Sequence, residues 1–134
     1  MVDSHTVAVN GQHYRAEKIL IATGGWPFIP SFPGSDLAVS SNEIFDLEEF
    51  PKRLAVVGGG YIGGEFAGIF HGLGSQVTQL YRGPLFLRGF DPDIRAHAAQ
   101  EISKSGVDLR FELNVESIAK TSGGLLLTLT DGST

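Results

Sequence analysis

The chain has no cysteine. That removes disulfides, thiolate metal ligands and cysteine nucleophiles from anything these 134 residues do alone. No apolar run approaches the roughly 20 residues of a membrane span, and the N-terminus lacks a secretory signal pattern. A membrane is not an expected partner, and a cytoplasmic address is the default expectation. A basic excess is missing too: the formal net charge is −5, whereas nucleic-acid binding wants a basic surface. His5, His13, His71 and His97 show no metal-ligand spacing. No G-x-x-x-x-G-K-[ST] loop of the P-loop nucleotidases occurs either.

What is present is a soluble, globular composition, 42% apolar, in a length that suits one domain and falls short of two complete dinucleotide-binding units. The most informative stretch is Val57–Glu65. The apolar run Leu54-Ala55-Val56-Val57 leads into Gly58, Gly60 and Gly63 in G-x-G-x-x-G spacing, followed by a helical pattern. Strand, glycine turn and helix in that order form the dinucleotide fingerprint. The first glycine permits the tight turn, the second lets the backbone approach a pyrophosphate, and the third lets helix and strand pack closely. Unpaired N–H groups at the helix tip then face the phosphates. The competing reading is a glycine-rich turn used only for packing.

The rest of the chain extends this into an α/β, Rossmann-like three-layer fold, a parallel sheet with an added β-hairpin or meander. Asn10-Gly11 between Thr6–Val9 and Tyr14 predicts a hairpin. Lys18–Ala22 reads as a strand buried on both faces. Pro27, Pro30 and Pro33 then make an extended connector. Ser41–Phe45 starts a short helix or turn, and Asp46, Glu48 and Glu49 read as a solvated face. Arg53–Val57 is the motif strand. Ile62, Phe66, Ile69, Phe70 and Leu73 form one apolar helical stripe, closed by Gly72 and Gly74. Gln76–Tyr81 is the second strand, and Asp91-Pro92 caps a second helix that buries Ile94, Ala98 and Ile102. Val107–Leu113 is the third strand. Leu125–Thr130 runs as a strand into Asp131-Gly132, a hairpin whose second arm is missing. An opening directly on a hairpin arm and this unfinished close lead us to expect a fragment of a longer protein. Ile19–Ala22 is a candidate to fill the vacant sheet edge, within one molecule or by exchange between two.

Coenzyme choice is read about 20 residues past the glycines, where an acid binds an adenosine ribose hydroxyl. That place holds Gln79, Leu80 and Tyr81, and no carboxylate occurs between Glu65 and Asp91. Arg82 follows at once, and Arg88 lies six residues on. Guanidinium forks suit the 2′-phosphate of NADPH. Two solvated loop arginines are the plain alternative.

Taken together, Ile19–Pro27, Gly58–Gly68, Tyr81-Arg82-Gly83 and Leu87–Asp91 resemble the glutathione reductase family, the FAD-dependent pyridine nucleotide-disulfide oxidoreductases. The trypanothione reductases are similar around Tyr81–Asp91, whereas lipoamide dehydrogenases and mercuric reductases fit the arginine segment less well. The resemblance implies that residues 1–35 are the end of a FAD-binding domain plus connector, with Thr23 and Gly24 on the flavin side. Residues 36–134 would be an NAD(P)-binding domain truncated at its C-terminus. Gly58, Gly60 and Gly63 would approach the pyrophosphate, Ile62 would be a further coenzyme-binding residue, and Arg82 and Arg88 would clamp the NADPH 2′-phosphate. Tyr61 would cover the flavin, and Glu65 would touch the nicotinamide carboxamide. By the residues alone Tyr61 is equally a packing aromatic, and Glu65 a plain exposed side chain. The full-length enzyme would carry FAD, pass hydride from NADPH to it, reduce a small-molecule disulfide and form a homodimer. The cysteine pair and the acid/base histidine of that chemistry are absent here, so the chain alone is expected to catalyse nothing. One departure concerns Gly63, where NADPH-using members often carry alanine. The rival readings are an NAD(H)-binding module of another flavoprotein and a non-catalytic nucleotide sensor.

Overall fold

The computed structural model describes residues 1–134. Asn10 (φ 49°) and Gly11 (φ 80°) turn β1 (Thr6–Val9) back onto β2 (Gln12–Arg15), the type I′ geometry that matches strand twist. From Ala16 to Pro33 the chain runs without regular structure, and short 3₁₀ turns follow at Ser35–Leu37 and Glu43–Asp46. The strand expected over Lys18–Ala22 is therefore not formed, and it fills no sheet edge. Leu20 is 88% exposed and Ile21 71%. An apolar run becomes a strand only where a neighbour accepts from its N–H groups and donates to its C=O groups, and this segment has none.

The fingerprint region folds as its pattern dictates. β3 (Arg53–Val57) leads into α1 (Tyr61–Gly72), then β4 (Gln76–Tyr81), α2 (Pro92–Ser105) and β5 (Asp108–Phe111). The three strands pair in parallel in the order β3-β4-β5. The N–H groups of Gly74 and Ser75 close the end of α1 on the carbonyls of His71 and Phe70, each at 2.9 Å. Asp91 caps α2, its carboxylate accepting from the N–H of Asp93 at 2.9 Å and of Ile94 at 3.4 Å, with Pro92 in the first turn.

Side chains of β4 alternate between the sheet faces and seed two cores. On one face Val77 packs with Ala67 and Phe70 of α1 and with Val107, and Ile102 of α2 packs alongside. On the other, Leu80 meets Val115 and Leu129 of a hairpin, β6 (Val115–Thr121) and β7 (Gly124–Leu129). Helices, parallel sheet and antiparallel hairpin make the three layers.

Three expectations need correction. The buried line of α1 is Ala67 and Phe70, with Phe66 beside them, while Ile62, Ile69 and Leu73 are 46%, 53% and 66% exposed. A Cβ on Gly63 would lie 3.0 Å from the Gly58 carbonyl oxygen, so the helix touches the sheet along Gly63, Ala67 and Phe70. The apolar stripe is rotated off that line. On α2, Ile94 is exposed. Finally, β7 has an upstream partner that the sequence pattern does not announce: β6 pairs with it antiparallel. β6 escaped notice because Val-Glu-Ser-Ile-Ala-Lys-Thr alternates weakly and its turn, Ser122-Gly123, lacks an Asn-Gly or Asp-Gly signal.

The connector is fastened to this hairpin. The Ile118 N–H donates to the Pro33 carbonyl at 2.9 Å, Phe32 packs beside Leu80 and Val115, and Gly34 turns with φ 80° against the Ile118 backbone.

Candidate coenzyme cleft

β3 runs into Gly58, whose N–H donates to the Leu80 carbonyl at 2.9 Å and carries the ladder one step past the strand. Gly60 then caps α1 with φ −83° and ψ 171° and no side-chain hydrogen bond. Gly64 N–H returns to the Gly60 carbonyl at 3.1 Å, whereas the N–H groups of Tyr61, Ile62 and Gly63 find no protein acceptor. These orphan donors stand at the positive end of the helix dipole, which favours a bound anion.

Across the turn, β4 delivers Tyr81 and Arg82. A Cβ on Gly59 or on Gly83 would fall 2.4 Å or 2.6 Å from the Tyr81 ring. The ring thus lies in a slot that only glycine leaves open on both sides. The following loop bends back over the turn: Phe86 is buried, with 1% exposure, and Leu87 N–H donates to the Gly59 carbonyl. This brings Arg88 round to face Arg82. Together Gly59, Gly60, Tyr81, Arg82, Gly83 and Arg88 enclose a cleft of about 520 Å³.

No carboxylate lines the cleft. The two ion pairs of the chain, Lys104–Glu101 and Arg110–Asp108, lie elsewhere, so Arg82 and Arg88 have no anionic partner. The cleft holds no nucleophile and no general acid–base pair, and no three His, Cys, Asp or Glu side chains cluster to hold a metal. Two guanidiniums beside the N-terminal tip of a helix suit a multiply charged anion.

Of the residues the sequence singled out, Gly60, Arg82 and Arg88 share this cleft, and Gly58 and Gly63 shape the turn beneath it. Tyr61, Ile62 and Glu65 are exposed on the first turns of α1, outside the lining. Thr23 and Gly24 lie in the irregular exposed segment and do not contribute to it.

Gln79 has a different place from the one its position suggested. It is not at the ribose end: it is 2% exposed, and its Nε2 donates to the Gly58 carbonyl at 2.9 Å. It pins the glycine turn from below. Period-two alternation was the available signal, since it sets Gln79 on the buried face of Val77, where a polar side chain needs a partner.

Gly60 gives a clean separation of fold from binding. A Cβ there meets no atom within 4 Å, and its backbone angles suit any residue. Gly60→Ala is expected to leave the thermal midpoint nearly unchanged: about 0.4–1 kcal/mol gained through the unfolded state is offset by a loss of similar size, about 0.5–1 kcal/mol, when alanine replaces glycine at a helix N-cap. Its methyl would occupy the place where the glycine fingerprint expects a pyrophosphate, and on that expectation dinucleotide affinity falls at least about tenfold. Calorimetry on both proteins reads the two effects apart.

The family model for pyridine nucleotide-disulphide oxidoreductases matches residues 1–134. The glutathione reductase of Burkholderia cepacia is 48% identical over 126 residues, covering 94% of this chain and 28% of that protein. The HOCl-induced flavoprotein disulfide reductase RclA of Escherichia coli, as the copper(II) complex of a mutant, superposes with a TM-score of 0.76 at 32% identity. That match covers 98% of this chain and 31% of the other. An engineered water-forming NADPH oxidase with NADPH bound, made from the NADH oxidase of Lactobacillus brevis, superposes with a TM-score of 0.75 at 27% identity. It covers 92% of this chain and 29% of the other. The chain thus spans less than a third of the length of each of these proteins.

Proposed function

The chain belongs to the pyridine nucleotide-disulphide oxidoreductase family, and from that premise we propose that it is the NADPH-binding part of a flavin-dependent disulfide reductase resembling glutathione reductase. The observation that carries this is the pairing, on one carboxylate-free cleft, of two unpartnered guanidiniums with the glycine tip of α1. Free helix-tip N–H groups take the pyrophosphate, and Arg82 and Arg88 take the 2′-phosphate. Tyr81 stands where an NADH-binding acid would stand and offers no competing acceptor to a ribose hydroxyl.

The engineered oxidase supports the same division of labour. Two of its substitutions introduce arginines six positions apart, the spacing of Arg82 and Arg88. A third removes the aspartate just before the first arginine, the place of Tyr81 here. A fourth turns a glycine into alanine nineteen positions upstream of that arginine, which is the distance of Gly63 from Arg82. The present chain has the arginines and lacks the acid while keeping the glycine.

In the full-length enzyme NADPH supplies hydride to FAD. Residues 36–134 bind and orient the coenzyme. Residues 1–35 are the end of the flavin domain and its connector, with Thr23 and Gly24 toward the flavin. Tyr61 and Glu65, exposed at the start of α1, face the nicotinamide end. The substrate is a small-molecule disulfide, and the enzyme acts as a cytoplasmic homodimer.

Gly63 is the observation that favours NADH instead. Titrating the chain with each coenzyme and following binding by calorimetry decides between them. We expect NADPH to bind at least about tenfold more tightly than NADH, the value of one charge-assisted contact. Equal binding or a preference for NADH refutes the phosphate assignment.

A further inference from the structure

Arg88 lies on a loop and approaches the cleft only because that loop is folded back, so something must hold the fold-back. We propose that Arg95, on the first turns of α2, is a positioning residue that latches the Leu85–Arg88 loop and thereby sets the NADPH preference of the cleft. Its Nε donates to the Phe86 carbonyl at 2.7 Å, and its Nη2 donates to the Leu85 carbonyl. One guanidinium thus grips two successive carbonyls, a fork that lysine cannot reproduce. The half-buried side chain has no carboxylate partner, so these carbonyls are what it is held by.

The latch has a clear line of action. Phe86 is sunk into the core beside Phe111, with ring centroids 6.1 Å apart, and its carbonyl faces α2. The next residue, Leu87, adopts φ 57° and ties its N–H to the Gly59 carbonyl. A non-glycine residue at positive φ is strained and persists only where its surroundings over-determine it. The two grips, from Arg95 before Leu87 and from Gly59 upon it, supply that. Releasing one lets the loop relax and carries Arg88 away from Arg82. Arg95 itself does not line the cleft.

The latch presupposes that the cleft takes NADPH, so the test includes Arg82→Ala as a control for that premise. NADPH and NADH affinities are measured by calorimetry on the full chain and on Arg82→Ala, Arg95→Ala and Arg95→Lys, with circular dichroism as a check on folding. Arg95→Ala is expected to weaken NADPH about tenfold while NADH changes less than about twofold, the pattern of one lost phosphate contact. Arg95→Lys, which keeps the charge and loses the fork, should recover only part of that loss. Full recovery by lysine would reduce Arg95 to a general charge effect and overturn the latch. An unchanged NADPH-to-NADH ratio in a folded Arg95→Ala overturns it too. Should Arg95→Ala fail to fold, Arg95→Lys decides alone: wild-type NADPH affinity refutes the latch, and a threefold or greater loss (about 0.7 kcal/mol) supports it. If Arg82→Ala leaves the ratio unchanged, the NADPH premise has failed rather than the latch.

Discussion

Replacing both Arg82 and Arg88 by alanine is expected to weaken NADPH binding by about 10²- to 10³-fold while leaving NADH within about threefold of the wild type. Each guanidinium offers charge-assisted hydrogen bonds worth roughly 1.5–3 kcal/mol apiece, or ten- to a hundredfold in affinity. In the proposed function the two serve one phosphate, so their combined loss should be smaller than the product of the single effects. Both arginines are exposed at the rim of the cleft. Salt therefore screens them, and the gap between wild type and double variant should narrow as ionic strength rises. NADH has no 2′-phosphate and serves as the internal standard. A double variant that loses NADH equally would mean that the loop, and not the phosphate contact, had been damaged. A double variant that keeps NADPH would remove the main support for the proposed function.

The second large effect concerns stability, at a residue outside the cleft lining. Gly34→Ala is expected to destabilise the fold by roughly 3 kcal/mol, seen as a lower urea midpoint with an unchanged slope. A Cβ on Gly34 would stand 1.9 Å from the Ile118 carbonyl oxygen and 2.8 Å from its carbonyl carbon. These are backbone atoms of β6 and cannot swing away as a side chain would. The positive φ of 80° adds about 1 kcal/mol for any residue with a Cβ. The chain can relieve the overlap only by lifting the connector off β6, which gives up the Ile118–Pro33 hydrogen bond and the burial of Phe32. A variant with wild-type stability would show that the connector's docking contributes little.

Much of the fold and half of the cleft were legible in the sequence, for identifiable reasons. The βαβ unit announced itself because its signals are local. Alternation marked β4, Asp91-Pro92 marked the start of α2, and three glycines marked the turn. Where a property depended on a partner distant in sequence, local signals failed. Lys18–Ala22 is apolar enough for a buried strand, yet no strand lies beside it. β6 has a weak pattern but forms because β7 and the connector accept its backbone. The buried line of α1 departs from its apolar stripe because the contact line is set by how closely Gly63 lets the helix approach Gly58.

Residue type and spacing alone supply the chemistry on offer: a glycine-lined helix tip, two guanidiniums six residues apart, no carboxylate between Glu65 and Asp91, and no cysteine. Those are properties of residue type and spacing, and they survive any rearrangement of the chain. Three-dimensional packing was needed to set the two arginines on one cleft, to turn Gln79 inward under the glycine turn, and to bring Arg95 onto the loop carrying Arg88. Convergence of this kind is made by contacts between α2, the loop and the end of β3. The energy of such contacts depends on three-dimensional distance, which a linear pattern does not contain.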